Sequence, residues 1–200
     1  MDKDEIITSI KEEAIKNKVP ILQDISLDFI KLILRIKRPK KILEIGTAVG
    51  YSAINFVNEL EEDVYVKTIE RNDKRYEEAI KNINSIGYSK FIDVVHADAT
   101  EYLPNLNEDN SYDVVFIDAA KAQYQRFFEK YCMHLNENGI IVSDNMNFHG
   151  LVQHPELTQN RNTRQLVRKI HDYHTYLANL SDYETAFYDY GDGVAVTRRK

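Results

Sequence analysis

The feature that most limits how this chain can fold is a regular alternation of short apolar runs with segments of helical spacing between Lys41 and Asp144. The runs are almost continuously apolar, which is typical of parallel strands buried on both faces. Parallel strands need crossover connections, and helices usually provide them. The five runs read KILEI, VYVKTI, FIDVVHA, YDVVFID and GIIVSD. The pattern therefore predicts a doubly wound α/β core.

Other patterns flank this core. Residues 1–18 and 24–35 have apolar positions at helical spacing, so two helices are predicted before the first strand. After a polar stretch, a late helix carries one apolar stripe, which includes Ile170 and Tyr173. Strand patterns at 183–190 and 194–198 then surround a Gly-Asp-Gly turn, whose glycines permit the positive φ angles of a tight hairpin. The sequence thus predicts a mostly parallel sheet that ends in an antiparallel hairpin.

Size and composition exclude several classes of protein. With 200 residues, 43% of them hydrophobic, we expect a single domain with one core. The formal net charge is −6, so any surface that attracts nucleic acid must be local. The single Cys132 cannot form an internal disulfide, there is no leader pattern, and the most apolar stretch, 29–36, is too short to span a bilayer. We expect a cytoplasmic protein.

The first strand leads into a turn that suits a nucleoside cofactor. Gly46 and Gly50 flank this turn, and their lack of a Cβ would let a ligand approach the backbone. Glu44 could hold an ammonium group or form a surface ion pair. Glu70 ends the second strand, where a carboxylate can accept both ribose hydroxyls, as it also does in NAD enzymes. Asp98 could accept from an adenine amino group or cap a short helix near residue 100.

Two acidic residues end the fourth and fifth strands and predict a metal site. Asp118 and Asp144 should emerge at the same edge of the sheet, with Asn145 adjacent. Carboxylate and amide oxygens are the donors that Mg²⁺ prefers, and no His or Cys cluster competes for a softer metal. Lys121 begins the helix after Asp118, and a nearby dication and cationic cofactor would favour its neutral amine as a general base.

Taken together, these segments resemble the cation-dependent O-methyltransferases that include catechol and caffeoyl-coenzyme A methyltransferases. Within that group the chain is most similar to the bacterial tRNA 5-hydroxyuridine methyltransferases. The resemblance covers nearly the whole chain. It is carried by KILEIGTAVGYSAI, TIERN, YDVVFIDAAKAQYQRFF, GIIVSDNMNFHGLV and DYETAFYDYGDGVAVTRR. FIDAAKAQYQRFF, NFHGLV and the Gly-Asp-Gly hairpin followed by basic residues favour the tRNA enzymes.

The resemblance implies a fold and an assembly. The fold is the Rossmann-like class I methyltransferase fold, a mostly parallel seven-stranded sheet with a C-terminal antiparallel hairpin and helices on both faces. It would form one domain over residues 1–200, with N-terminal helices in 1–38 and the Rossmann-like core in 41–200. The resemblance also suggests a homodimer.

The resemblance further implies roles for single residues. Asp118, Asp144 and Asn145 would bind Mg²⁺, and Lys121 with Asp118 would form the catalytic pair. S-adenosylmethionine would be bound by a larger set, namely Leu22, Glu44, Gly46, Ser52, Glu70, Asp98, Ala99 and Asp118. Mg²⁺ would chelate two neighbouring substrate oxygens, lower the pKa of the hydroxyl and align it for attack on the methyl group.

Several substrates and functions remain open from the sequence. The leading hypothesis is methylation of 5-hydroxyuridine at the wobble position of tRNA, with the anticodon stem-loop as partner. Two basic clusters could contact its phosphates, namely Arg161, Arg164, Arg168 and Lys169, and Arg198, Arg199 and Lys200. The alternatives are a small catechol-like or caffeoyl-CoA-like substrate, a nicotinamide-dependent reductase, and a non-catalytic nucleoside-binding module. His171 and His174, without a third ligand, are expected to be surface or interface residues.

Overall fold

The computed structural model describes residues 2–104 and 111–200, which contain six α-helices and one seven-stranded sheet. The helices are α1 (Lys3–Lys16), α2 (Asp24–Lys37), α3 (Tyr51–Glu59), α4 (Asp73–Ile86), α5 (Tyr124–Tyr131) and α6 (Arg161–Ala178). The strands are β1 (Lys41–Ile45), β2 (Tyr65–Glu70), β3 (Ile92–His96), β4 (Tyr112–Ile117), β5 (Leu135–Ser143), β6 (Tyr183–Tyr188) and β7 (Val194–Arg199).

The strand order is β3-β2-β1-β4-β5-β7-β6. The first five strands pair in parallel, and β7 pairs antiparallel with both β5 and β6. The predicted doubly wound core and C-terminal antiparallel hairpin are therefore confirmed. Because β1 and β4 are neighbours while the chain passes through β2 and β3 between them, the order reverses at the β1–β4 boundary. Ligands of open α/β sheets bind beyond the carboxyl ends of the strands at such a point.

The sheet is covered on both faces. Successive residues of a strand point to opposite faces, so Ile42 packs in one apolar cluster and Leu43 in the other. The first cluster includes Leu34 of α2 and Ile54 of α3, whereas the second includes Phe128 of α5. This two-sided burial explains why the strand runs are almost continuously apolar.

Local sequence explains where the helices begin and end. α1 begins at a capping box, in which the Asp2 carboxylate accepts from the Glu5 amide and the Glu5 side chain accepts from the Asp2 amide. α4 ends at Gly87, which has φ +80°. The helix predicted to begin at Lys121 is interrupted, since α5 lies between two 3₁₀ turns. Near residue 100 the described chain forms a hydrogen-bonded turn instead of the predicted short helix, and residues 105–110 lie outside the described part.

The tip of the β6–β7 hairpin packs on the rest of the molecule. A Cβ at Gly191 would collide with the Ser26 side chain at the start of α2, and a Cβ at Gly193 would lie 2.7 Å from Asn147 Cγ. The backbone of the tip also accepts hydrogen bonds from the segment after β5, because Gly193 O accepts from Met146 N at 3.0 Å. The hairpin therefore reaches the edge where β4 and β5 end.

Gly46, directly after β1, is required by its surroundings. Its φ is +102°, and a Cβ there would overlap the carbonyl oxygen of Asp118 and lie 2.9 Å from its carbonyl carbon. Gly87 also has a positive φ, but nothing lies within 4 Å of its Cβ position. Alanine at Gly87 would therefore introduce backbone strain alone, whereas alanine at Gly46 would introduce both strain and a collision.

We expect Gly46→Ala to destabilise the protein more than Gly87→Ala. Placing alanine in a left-handed conformation costs about 1–2 kcal/mol. The collision at Gly46 should add about 1–3 kcal/mol, since the β4 end must shift. Urea denaturation of both variants measures the difference. Equal losses of unfolding free energy would contradict the proposed collision.

Candidate functional site

A cavity of about 720 Å³ lies beyond the carboxyl ends of β1, β2 and β4. Nine of the eleven residues predicted for the site line it, namely Leu22, Gly46, Ser52, Glu70, Asp98, Ala99, Asp118, Lys121 and Asn145. The other two, Glu44 and Asp144, are buried behind its wall. The volume is within the range of about 300–1,000 Å³ typical of small-molecule sites.

The glycine turn is shaped by the sheet as much as by any ligand. The missing Cβ of Gly46 makes room for the Asp118 carbonyl oxygen. The space that a Cβ would fill is therefore occupied by the protein and does not admit a ligand, contrary to expectation. Gly50 adopts φ +81° at the N-terminus of α3. The turn thus brings the α3 N-terminus to the cavity.

Glu70 connects the turn to the second strand. Its two carboxylate oxygens accept from the backbone amides of Ala48 at 2.9 Å and Asn72 at 2.8 Å. Glu70 is 7% exposed and lines the cavity. Each carboxylate oxygen has two lone pairs, so both can still accept a ligand hydroxyl. The predicted contact with a ribose diol fits this position.

Glu44 lies deeper than the sequence suggested. It is fully buried, the Ser52 hydroxyl donates to one carboxylate oxygen, and the Thr68 hydroxyl donates to the other at 2.5 Å. A surface ion pair is excluded by this burial. Removal from water raises the pKa of Glu44 to about 8, against the lowering effect of the two hydroxyl donors. Glu44 therefore supports Ser52, which itself lines the cavity.

Asp98 caps a turn at the far side of the cavity. Its carboxylate accepts from the Thr100 amide at 2.8 Å and the Thr100 hydroxyl at 2.7 Å, and Arg71 pairs with it at 3.2 Å. These hydrogen bonds, those from Thr100 first, lower the pKa of Asp98. The neighbouring Ala99 carbonyl accepts from the Tyr131 hydroxyl at 2.8 Å. Asp98 is thus held at the cavity as an anion.

The two aspartates of the predicted metal site lie side by side. Ile117 of β4 pairs in register with Ser143 of β5, so Asp118 and Asp144 are the next residue of each neighbouring strand. The Asp144 amide donates to the Ile117 carbonyl at 3.1 Å. Burial raises the pKa of both carboxyls, and in Asp144 the charge of Asp118 raises it further. Two acids this close favour a cation between them.

Lys121 and Asn145 complete this corner. The Lys121 ammonium donates to Asn145 Oδ1 at 2.7 Å and lies 5.8 Å from the centre of the Phe148 ring. Asn145 has φ +56°, a conformation that asparagine tolerates better than most residues. The turn after β5 therefore places the Asn145 side-chain amide next to the Lys121 ammonium.

The donor set fits a hard cation. Asp144 Oδ1 is buried and has no hydrogen-bond partner among the described residues, which is costly unless a ligand satisfies it. In the described part of the chain no three His, Cys, Asp or Glu side chains gather where they could hold a metal. The candidate set thus consists of two carboxylates and the Asn145 amide, which suits Mg²⁺ with additional water or substrate oxygens.

The sequence alone did not identify two further residues at the site. Asp192, at the hairpin tip, is 3% exposed, lines the cavity and accepts from the backbone amide of His149. Its carboxylate also lies 3.8 Å from His149 Nδ1. The Gly-Asp-Gly motif contains Asp192, but the motif by itself predicts only a turn.

Cationic side chains surround the mouth of the cavity. Arg71, Arg75 and Arg126 line it together with Lys121. Arg126 also donates to the Thr100 carbonyl at 3.4 Å.

None of the helices in the described chain is sufficiently long and apolar to cross a membrane.

Comparisons with known proteins identify the family to which the chain is similar. A family model described as O-methyltransferase matches residues 1–200. Caffeoyl-CoA O-methyltransferase of Populus kitakamiensis is 27% identical over 175 residues, covering 86% of this chain and 74% of that protein. Catechol O-methyltransferase of Niastella koreensis is 33% identical over 121 residues, covering 59% of this chain and 54% of that protein.

Solved structures show the same fold. A Staphylococcus aureus protein provisionally described as a caffeoyl-CoA O-methyltransferase is 38% identical, with a TM-score of 0.91 and coverage of 97% of this chain and 92% of that one. An O-methyltransferase from Bacillus cereus in complex with SAH has a TM-score of 0.81 at 22% identity, covering 100% and 93%. The predicted Rossmann-like methyltransferase fold is confirmed, and these likenesses favour methyl transfer over a nicotinamide-dependent reductase.

The pKa of Glu44 predicts a pH-dependent stability. Between about pH 4.5 and 8 the folded protein retains this proton and the unfolded chain releases it. The free energy of unfolding should therefore fall as pH rises through this window, by up to ~1.4 kcal/mol per pH unit from this group. Glu44→Gln should flatten the decline, as measured by urea denaturation at several pH values. The exposed Glu77→Gln is the control, and an unchanged slope in Glu44→Gln would contradict the prediction.

Proposed function

Because this chain belongs to the O-methyltransferase family and is therefore an S-adenosylmethionine-dependent O-methyltransferase, we propose that its substrate is 5-hydroxyuridine at the wobble position of tRNA. The product would be 5-methoxyuridine. The observation that supports the choice of a polyanionic substrate is a group of three arginines that line the cavity, Arg71, Arg75 and Arg126, on a chain with net charge −6. Arg71 pairs with Asp98, which leaves Arg75 and Arg126 as the main candidates for phosphate contacts. Such a local basic surface attracts phosphates that the whole molecule would repel.

The cofactor would lie across the ends of β1 and β2. Glu70 would accept the ribose hydroxyls, and Asp98 with Ala99 would contact the adenine. Leu22, buried and in the cavity wall, offers an apolar surface. The methionine end would reach the glycine turn and Ser52, whose hydroxyl is positioned by Glu44. S-adenosylmethionine, when bound, would supply an electrophilic methyl group.

Asp118, Asp144 and Asn145 would hold Mg²⁺. When bound, this ion stabilises negative charge on a substrate oxygen. Lys121 lines the same cavity beside Asn145, and its amine would take the hydroxyl proton as a general base. In 5-hydroxyuridine the hydroxyl lies next to the 4-carbonyl, and two neighbouring oxygens of this kind match the requirement for chelation.

A second candidate is a small phenol or a caffeoyl-CoA-like thioester. The observation that favours it is the naming of relatives, which include a caffeoyl-CoA and a catechol O-methyltransferase. Vicinal hydroxyls of a catechol offer the same pair of oxygens. The cationic rim argues against a neutral catechol, whereas the phosphates of coenzyme A would also suit it.

The protein is further proposed to be a cytoplasmic homodimer. Three apolar residues on one face of α2 are exposed, namely Ile25 (60%), Leu32 (48%) and Ile36 (77%). Contiguous exposed apolar surface of this kind is typical of protein interfaces. A second copy would cover this stripe.

Substrate competition tests the proposal. We expect the enzyme, with methyl-labelled S-adenosylmethionine and Mg²⁺, to label tRNA that carries 5-hydroxyuridine far faster than catechol or caffeoyl-CoA. Unmodified tRNA is the matched control, because it lacks the accepting hydroxyl. Nucleoside analysis of cells without the protein should show loss of 5-methoxyuridine and accumulation of 5-hydroxyuridine. Labelling of the phenols alone would reject the tRNA assignment in favour of the second candidate.

Asp144→Asn tests the metal site independently of turnover. We expect Mg²⁺ affinity to fall by more than about 100-fold, since even outer contacts of metal sites contribute about 10–100-fold. Isothermal calorimetry measures this, and the unfolding free energy should not fall, because an amide replaces a buried carboxyl whose ionisation is unfavourable. Asp182→Asn, on the exposed turn before β6, is the control. Unchanged Mg²⁺ binding in Asp144→Asn would show that Asp144 is not a ligand.

A further inference from the structure

A second cavity of about 390 Å³ lies beside the candidate active site. One segment, residues 145–153, forms a wall between the two. Asn145 and His149 line the first cavity, while Asn147 and Gln153 line the second. A ligand that fills both cavities would therefore pass over this segment from one to the other.

The second cavity has an aromatic wall. His174 of α6 and Phe187 of β6 stack with ring centres 4.0 Å apart and planes inclined by 17°. Phe187 retains 37% of its surface exposed, so the stacked pair still offers area to another ring. Burial, and then the charge of His171, lower the pKa of His174, so its ring is neutral at neutral pH. A flat, neutral wall suits a planar ligand.

Polar groups surround this wall. The Asn147 amide donates to the Asp189 carboxylate at 3.0 Å, and both residues line the cavity with Thr175. Amide and carboxylate groups of this kind can hydrogen-bond to the edge of a base. Neither the methyl donor nor the proposed metal site uses any of these residues.

A cationic approach leads along α6 to the cavity. Arg164, Arg168 and His171 follow at intervals of four and three residues, so they lie on one face of the helix. Arg164 donates to the Thr158 carbonyl at 2.8 Å, whereas Arg168 is solvent-exposed one turn before the cavity. Arginine at this position is suited to a phosphate.

We propose that the second cavity receives an unpaired nucleobase next to the methylated nucleoside, stacked on Phe187 and His174, with a flanking phosphate on Arg168. This inference rests on the proposed RNA substrate. Single-stranded RNA is recognised by stacking unstacked bases on aromatic side chains and hydrogen-bonding their edges. Two cavities that share a wall accept two successive bases of a loop, which gives the enzyme a reason to prefer RNA over a free nucleoside.

The test compares Phe187→Ala with the wild type on an anticodon stem-loop that contains 5-hydroxyuridine. We expect the KM for the stem-loop to rise about 5- to 100-fold, as loss of one base stack implies. The kcat at saturating RNA should change little, because Phe187 does not contact the reacting atoms. Phe187→Trp should restore the KM and Phe187→Leu should not, since stacking needs a ring. Tyr65→Ala, in β2 on the far side of the sheet from β6 and with 38% exposure, is the matched control.

Abasic substrates sharpen the test. Removing the base on one side of the target should raise the wild-type KM by a similar factor, and Phe187→Ala should then add almost nothing, since coupled partners are non-additive. A wild-type KM in Phe187→Ala, or fully additive effects, would overturn the stacking site while leaving the tRNA substrate intact. Failure of the wild type to methylate the stem-loop would overturn the RNA substrate and this site together.

Discussion

The parallel register of β4 and β5 determines most of what this site can do. Because Ile117 pairs with Ser143, Asp118 and Asp144 leave neighbouring strands at the same level. Burial raises the pKa of both carboxyls, and the charge of Asp118 raises the pKa of Asp144 further. Two ionised carboxylates in this position are unfavourable without a cation, and a bound cation would stabilise them. The arrangement of the two strands would therefore contribute to metal affinity. A slip of one residue would turn one carboxylate to the opposite face.

Much of the fold could be predicted because its signals are periodic. Continuous apolar runs indicated strands buried on both faces, and the Gly-Asp-Gly turn between two strand patterns indicated the hairpin. The interruption of the helix after Lys121 and the turn at Asp98 were not predicted, since short elements have weak periodicity and depend on side-chain hydrogen bonds.

The site could be predicted in part, because its residues follow directly after strands. Nine of the residues predicted from the sequence line one cavity in the structure. It could not give their depth: the Glu44 carboxylate bonds to Ser52 and Thr68 inside the protein. Nor could it show that Gly46 accommodates the Asp118 carbonyl, or that Asp192 reaches His149 from the far end of the chain. Such contacts depend on packing between distant segments, which local patterns do not record.

The tip of the β6–β7 hairpin also helps to shape the segment that follows β5. Met146 and Asn147 donate to the carbonyls of Gly193 and Asp192, and the Asp192 side chain holds the amide of His149. The segment after β5, with positive φ angles at Asn145, Phe148 and His149, is thus held in part by hydrogen bonds from the β6–β7 hairpin. During synthesis, the five parallel strands emerge from the ribosome before the β6–β7 hairpin. A chain that lacks the β6–β7 hairpin therefore carries both aspartates without the contacts that shape the segment beside them.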